Sequence, residues 1–165
     1  SAPMQLASLV RPELVFPHLV AANREEILRT LADRISTALG WGSAQDLYLQ
    51  LAEREALGST ALGQGVAIPH CKLARLSHPL VALGVAPEGV EFGAADGQPV
   101  QVFLVVASPT RSPAEHLQAL AAISRWVRVE GRTRQVLDAP DAAALVSLLR
   151  SPYRVSCRPR GESTE

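Results

Sequence analysis

The apolar residues of the first third of the chain recur with a helical period. After Asn23, apolar side chains return every three or four positions from Ile27 to Leu39, and Gly40 follows. Asn23 with Glu26 three residues later has the form of a capping box. The pattern predicts a first helix between Asn23 and Gly40.

Further helical stretches follow the same logic. We expect them from Ser43, with Asp46 in its first turn, to near Glu53, from Ser112 to about Val127, and from Asp138 to Arg150. The second of these opens with Ser-Pro-Ala-Glu, which is a capping box with proline at the first helical position.

Short, continuous apolar runs predict strands between the helices. They cover Val66–Ile68, Val81–Val85 and Val102–Ala107. The last run is so continuously apolar that we expect both of its faces to be covered. Residues 6–19 are apolar but interrupted by Pro12 and Pro17, which favours an extended segment or an edge strand over a helix. The alternation predicts one α/β domain over residues 6–150, with a central mixed β-sheet flanked by helices.

The two ends of the chain are expected to lie outside this domain. Residues 1–5 are interpreted as an N-terminal arm or a cloning remnant, because Ser-Ala-Pro precedes the only methionine, Met4. Residues 151–165 are rich in Pro, Arg, Gly, Ser and Glu, and predict a flexible C-terminal tail.

Composition narrows the class of protein. Of the 165 residues 47% are hydrophobic but only 4% aromatic, so the core should be aliphatic. Lys plus Arg and Asp plus Glu both number 16, without the basic excess of a nucleic-acid binder. No apolar stretch approaches the roughly 20 residues of a membrane span, and no signal-peptide pattern is present. Cys71 and Cys157 lie far apart and give no disulfide framework. We therefore expect a cytoplasmic protein without direct membrane insertion.

His70 is the first candidate for chemistry. Because Pro69 cannot donate a hydrogen bond to a β ladder, we expect the Val66–Ile68 strand to stop there and to present His70 at its carboxyl end. Strand ends are where α/β sheets place reacting groups. The alternative is a histidine that merely caps the strand.

The glycines before His70 favour an anion site over other chemistries. Gly58 to Gly65 have the glycine spacing of a P-loop, but Gln64 stands where a lysine is needed. The Gly-x-Ser-x-Gly motif of serine hydrolases is absent, and adjacent His70 and Cys71 cannot easily hold one metal ion. We expect neither a cofactor nor a metal.

Backbone amides of a glycine turn could instead approach an anionic group at His70. The Thr60 hydroxyl and the Arg54 guanidinium would add donors. The alternative for Arg54 and Glu55 is a solvated ion pair at a helix end.

The segment from Arg54 to His70 resembles the active-site signature of enzyme IIA components of the bacterial phosphotransferase system, in the fructose/mannitol and nitrogen-related branch. The matching positions are Arg54, Glu55, Gly58, Ser59, Thr60, Gly63, Gly65, Ala67, Ile68, Pro69 and His70. The resemblance continues at Asp96–Val100 with the apolar run after it, and at His116-Leu117, and covers roughly residues 6–150. It implies the mannitol-type enzyme IIA fold.

The resemblance also implies a function. His70 would accept a phosphoryl group from HPr, the histidine-containing phosphocarrier, or from its nitrogen-related paralogue. The stand-alone chain and its Gly-Ser-Thr and Ile-Pro-His forms favour a nitrogen-related regulatory enzyme IIA acting on protein targets. The alternatives are a sugar-specific enzyme IIA that passes the group to a IIB domain, and a non-catalytic interaction module.

His116 is the second candidate for chemistry. It lies four residues after Ser112, where the positive end of the helix dipole disfavours a protonated imidazole, so we expect it to be neutral at pH 7. The resemblance assigns it as the histidine beside the phosphorylated one, donating a hydrogen bond to the phosphoryl group. The alternative is a solvent-facing residue, or one packed with Leu120. His18 and His78 match no family position.

Two expectations concern the surroundings of His70. Val66, Ala67, Ile68 and Leu73 are expected to form part of a docking surface for the carrier, with Lys72 at its rim. Cys71 stands where relatives carry a small residue, and it could make phosphorylation sensitive to redox state.

Overall fold

A computed structural model describes residues 3–151 and contains a mixed sheet covered by helices on both faces. The helices are α1 (Arg24–Ala38), α2 (Gln45–Ala56), α3 (Pro113–Val127), α4 (Arg132–Asp138) and α5 (Ala142–Arg150). The strands are β1 (Val15–Phe16), β2 (Ala61–Gly63), β3 (Val66–Ala67), β4 (His70–Leu73), β5 (Leu80–Val90) and β6 (Val100–Pro109).

Strand β6 organises the sheet. One of its edges pairs antiparallel with β5, and the other pairs in parallel first with β3 and then with β4. β1 lies parallel beyond β5, and β2 lies antiparallel beyond β3. The predicted α/β fold with a central mixed sheet flanked by helices is therefore confirmed.

The apolar side chains of β6 alternate between two cores. Phe103 and Val105 join the core under α1 and α2, whereas Leu104 and Val106 join the core under α3, α4 and α5. All four side chains are fully buried, which confirms that both faces of this run are covered. Strand alternation thus assigns each β6 side chain to one helical layer.

The helix predictions hold with corrections at their ends. The Asn23 side chain accepts a hydrogen bond from the Glu26 amide at 2.9 Å, as the capping box predicts. Helix α2 runs to Ala56, one turn past the expected end. The last predicted helix is confirmed with a later start, because α5 begins after Asp141, whose side chain caps it, and still ends at Arg150. The helix before it, α4, ends at Asp138 and was not predicted. Pro140 lies between the two helices. A proline there interrupts a continuous helix, because it has no backbone N–H to donate.

The strand predictions also need correction. Residues 6–14 form two short 3₁₀ turns, and only β1 is extended, at the edge of the sheet. Strands β5 and β6 are longer than the runs of apolar residues that predicted them. Of the predicted tail, residues 152–165 lie outside the described residues, and the domain bounds at 6 and 150 stay a prediction.

Candidate active site

His70 begins a strand, whereas the sequence suggested that it follows the end of one. β3 ends at Ala67, and Pro69 interrupts the ladder without donating to it. The Pro69 carbonyl nevertheless accepts a hydrogen bond from the Val106 amide at 3.0 Å. The chain therefore stays beside β6 and resumes as β4, in which His70 pairs with Val106. Because paired residues share a face, His70 lies on the face that α3 covers.

Helix α3 brings His116 to the same face. The two imidazole rings lie with their centroids 5.5 Å apart, which is within the roughly 10 Å over which hydrogen-bond geometry lets both contact one phosphoryl group. Proline occupies the first turn of α3 as expected, but among the described residues the Ser112 side chain makes no capping hydrogen bond. The predicted start of the helix is confirmed, whereas the predicted capping box is not formed.

Among residues 3–151, His70 is held through one ring nitrogen. Its Nδ1 lies 2.7 Å from the carbonyl oxygen of Ile68. A carbonyl can only accept, so Nδ1 carries the hydrogen and Nε2 keeps its lone pair. Burial is the main cause that lowers the pKa of His70, and the nearby Arg54 charge lowers it too, while the Ile68 hydrogen bond opposes both. The half-buried ring is thus a neutral imidazole with a free nucleophilic nitrogen at pH 7.

His116 is buried, with 7% of its surface exposed. Its Nδ1 lies 2.7 Å from the Oγ of Ser108, at the end of β6. Burial, followed by the charges of His70 and Lys72, lowers the pKa of His116 to about 4. The expected neutral imidazole is therefore found, although burial is its main cause and the solvent-facing alternative is wrong. Sequence analysis missed Ser108, whose signal was a polar residue closing a long apolar run.

The end of α2 supplies Arg54 and Glu55. Arg54 donates to the Gly58 carbonyl at 2.9 Å and lines the same cleft as His70. Glu55 is buried, and its carboxylate accepts hydrogen bonds from the Thr60 amide and hydroxyl at 2.6 and 2.7 Å. The alternative interpretation, a solvated ion pair between Arg54 and Glu55, is therefore wrong. The Thr60 hydroxyl already donates to Glu55, so Thr60 holds the loop against α2 in this structure.

The glycine turn lies elsewhere and holds a carboxylate of the protein itself. The Gln64 amide, between Gly63 and Gly65, donates to Asp96 Oδ2 at 2.8 Å. Gln64 has a φ of 58°, and a Cβ at Gly63 would lie 3.1 Å from the same oxygen. This hydrogen bond lowers the pKa of Asp96. The expectation that this turn approaches an anionic group at His70 is therefore wrong, because the turn binds Asp96 and does not line the His70 cleft.

The two imidazoles line an open cleft of about 590 Å³ between α2 and α3. Lys72 also lines this cleft. The leucines that line it are Leu57, Leu117 and Leu120, which we call the leucine rim. Leu57 is 83% exposed and Leu117 is 68% exposed, so apolar surface lies beside the polar groups of the cleft.

The docking surface that the sequence suggested is wrong. Val66, Ala67, Ile68 and Leu73 are all buried in the two cores, with at most 6% of their surface exposed. Strands covered on both faces cannot offer side chains to a partner. The exposed apolar surface comes from the ends of the helices beside the cleft.

Cys71 lies next to His70 in sequence but points to the opposite face of the sheet. It is buried in the core under α1 and α2. Burial raises the pKa of its thiol to about 12. Because the thiolate is the reactive form, redox sensitivity through Cys71 finds no support in this geometry.

Within residues 3–151, no cluster of three or more His, Cys, Asp or Glu side chains is arranged to hold a metal ion. None of the helices described has the length and apolar character needed to cross a membrane.

Comparison with known proteins places the chain in a family. Residues 8–151 match the family model described as "Phosphoenolpyruvate-dependent sugar phosphotransferase system, EIIA 2". A nitrogen regulatory protein of Bradyrhizobium diazoefficiens is 34% identical over 149 residues, which cover 90% of this chain and 97% of the relative. A fructose-specific EIIA component of the phosphotransferase system of Haloferax volcanii is 30% identical over 89% of this chain and 90% of the relative.

The fold has solved counterparts. The crystal structure of the nitrogen regulatory protein IIA-Ntr from Neisseria meningitidis superimposes with a TM-score of 0.79, covering 87% of this chain and 98% of that one, at 24% identity. At 24% identity the structural similarity shows the fold alone, and the assignment to a family depends on the sequence matches. The chain belongs to the EIIA 2 family of the phosphoenolpyruvate-dependent sugar phosphotransferase system, and so is a phosphoryl-transfer component of that system.

Proposed function

We propose that this protein accepts a phosphoryl group on Nε2 of His70 from a phosphohistidine carrier of the HPr type. The observation that carries the proposal is the 2.7 Å hydrogen bond from His70 Nδ1 to the Ile68 carbonyl. It leaves the Nε2 lone pair as the nucleophile, within a cleft that also contains His116 and Arg54.

The transfer needs little covalent help from the protein. The Nε2 lone pair attacks phosphorus, a new P–N bond forms, and the P–N bond to the carrier breaks, with its electron pair returning to the carrier's imidazole. As the bond forms, positive charge grows on the His70 ring, and the Ile68 carbonyl stabilises it through Nδ1–H. No nucleotide or metal takes part in this step.

Charged and polar groups around the cleft suit a phosphoryl group. Arg54 and Lys72 contribute positive charge, and His116 contributes a neutral imidazole. Phosphoryl transfer depends mainly on positioning and on donors for the oxygens that carry charge. The leucine rim surrounds these groups with apolar surface, which is the composition of a protein docking site with a polar centre.

We assign the protein to the nitrogen-related regulatory branch. The support is the 34% identical nitrogen regulatory protein, nearly all of which the chain covers. The sugar-specific alternative has its own support in the 30% identical fructose-specific EIIA component, which would imply onward transfer to a IIB domain.

The test is phosphorylation in a purified system with labelled phosphoenolpyruvate, enzyme I, and either HPr or its nitrogen-related paralogue. Wild type and His18→Ala should be labelled, because His18 is exposed and outside the cleft, whereas His70→Ala should not be. The His70 variant should keep its fold, since this half-buried side chain contributes little to either core. Labelling that persists in His70→Ala would refute the assignment, and absence of labelling in wild type would favour the non-catalytic interaction module.

The two branches are separated by adding a fructose-type IIB domain to the labelled protein. A regulatory protein should retain its label, whereas a sugar-specific component should pass it to the IIB domain within the turnover time of the system. The rates of phosphorylation by HPr and by its nitrogen-related paralogue, compared with each other, test the choice of branch independently.

A further inference from the structure

The register of β4 on β6 places a serine beside the two histidines. β4 pairs with β6 so that His70 aligns with Val106 and Lys72 aligns with Ser108. Residues two apart on a strand share a face, so Ser108 lies on the same face as His70 and under α3. Its side chain is completely buried.

Only one arrangement of hydrogens satisfies this serine. Its Oγ lies 2.7 Å from His116 Nδ1, and among residues 3–151 the hydroxyl has no other hydrogen-bond partner. If Nδ1 carried the hydrogen, the buried hydroxyl hydrogen would have no acceptor, at a cost of about 1–3 kcal/mol. The hydroxyl therefore donates to Nδ1, and the hydrogen of the neutral His116 ring is on Nε2.

The two histidines are thus held in opposite tautomers by opposite kinds of partner. The Ile68 carbonyl accepts from His70 and leaves its Nε2 free to attack. The Ser108 hydroxyl donates to His116 and leaves an N–H at Nε2, on the far side of the ring from the buried serine. One ring is set as nucleophile and the other as hydrogen-bond donor.

We propose that Ser108 is a positioning residue for phosphoryl transfer, which holds His116 in the Nε2–H tautomer so that it donates to the phosphoryl group on His70. The proposal rests on the proposed function of His70. It adds the group that makes His116 a donor and keeps it from competing as a nucleophile.

The first experiment reads the tautomer without any carrier. Long-range ¹H–¹⁵N NMR on the unphosphorylated protein at pH 7 distinguishes the two tautomers of a neutral histidine, and the His116 signals are assigned by their loss in His116→Gln. We expect a single Nε2–H tautomer. An Nδ1–H tautomer in the wild type would overturn the proposal, whatever the function of His70.

A matched pair of variants isolates the hydroxyl. Ser108→Thr keeps it, and Ser108→Val has the same shape without it, so both disturb packing equally. The His116 ring-nitrogen shifts should be those of wild type in the Thr variant and should move in the Val variant. Identical shifts in the two variants would show that the serine does not hold the ring.

The same pair tests the consequence for transfer. Phosphorylation of His70 by the carrier should be three- to tenfold slower in Ser108→Val than in Ser108→Thr, on the order of the contribution of one neutral hydrogen bond. Equal rates would overturn the positioning role while leaving His70 as the acceptor. Loss of labelling in His70→Ala, measured alongside, keeps a failure of the proposed function separate.

Discussion

At the scale of single residues, the site depends on the second nitrogen of each histidine. His70 and His116 have the same side chain and lie 5.5 Å apart, yet one is fixed by a carbonyl and the other by a hydroxyl. In the proposed reaction, their hydrogen-bond partners, and not their own chemistry, distinguish the acceptor from the donor. The two rings should therefore respond differently to substitution.

Removing the His116 ring should slow transfer without preventing it. A hydrogen bond to a charged phosphoryl oxygen contributes about 1.5–3 kcal/mol. Hence His116→Ala should reduce the rate of phosphoryl exchange with the carrier, or shift its equilibrium, by roughly one to two decades, while His70 is still labelled. His116→Gln keeps an N–H donor and should recover part of the loss. Equal exchange rates in wild type and both variants would remove His116 from the reaction.

The depressed pKa of His116 should also appear in the pH dependence of stability. Its pKa is about 4 in the folded protein, against 6.5 as the ordinary value, so the unfolded chain binds more protons between these pH values. The contribution of His116 to the free energy of unfolding is therefore fully present above pH 6.5. It is lost as the pH decreases towards 4, with a slope of at most ~1.4 kcal/mol per pH unit.

Urea unfolding at pH 7 and pH 5 measures this effect. Wild type should lose more stability between the two pH values than His116→Gln, which has no titrating group at this position. His70 lowers stability in acid in the same sense and is present in both proteins, so the difference between them reports His116 together with its electrostatic coupling to His70. The same loss in both proteins would contradict the burial argument.

At the scale of elements, the sequence predicted those that carry their own signals. α1 was predicted because a cap residue and a helical period agree over fifteen residues. α4 was missed because it is seven residues long and buries few side chains, among them Arg132 and Val136. β4 was missed because a proline in the sequence predicts the end of a strand. In the structure the Pro69 carbonyl accepts a hydrogen bond from β6, and the chain continues along β6 as β4. Short elements are held by their neighbours, which a local pattern does not contain.

The same distinction holds within the site. The signature from Arg54 to His70 and the position of His116 could be read along the chain. The Ser108–His116 and Thr60–Glu55 hydrogen bonds could not, because they depend on how separate elements pack. The glycine turn was predicted to approach an anionic group at His70, which is wrong, because the fold places the Asp96 carboxylate against it instead.

The contact between β5 and α1 gives a prediction at this scale. Gly84 faces α1, and a Cβ there would lie 2.8 Å from methyl carbons of Leu19 and Leu31, both of which are buried. Gly84→Ala should therefore lower the free energy of unfolding by about 1–3 kcal/mol through overpacking. Gly42→Ala is the control, since a Cβ at Gly42 meets nothing within 4 Å. Urea unfolding measures both, and an equal effect of the two substitutions would contradict a tight contact at Gly84.

At the scale of the whole molecule, the cleft joins the two helical layers. α2 covers one face of the sheet and α3 covers the other. β4 lies between them, paired with β6 at the edge of the sheet. The leucine rim therefore takes Leu57 from one layer and Leu117 from the other. Under the proposed function, a carrier that reaches His70 would contact both layers at once, so its docking would depend on the complete fold.

Removing the exposed leucines should weaken docking and leave the chemistry intact. Leu57→Gln with Leu117→Gln should lower kcat/KM for phosphorylation by the carrier about tenfold or more, because well-buried apolar side chains at an interface contribute on the order of 1 kcal/mol or more each. The main change should be in KM, since neither leucine supplies a donor to the phosphoryl group. Stability should change by no more than about 0.5 kcal/mol, as both side chains are exposed in the free protein. Leu62→Gln is the matched control, since Leu62 is also exposed but lies on β2, outside the cleft. If the double variant and the control were phosphorylated with the same kcat/KM, the carrier would have to approach His70 without contacting the leucine rim.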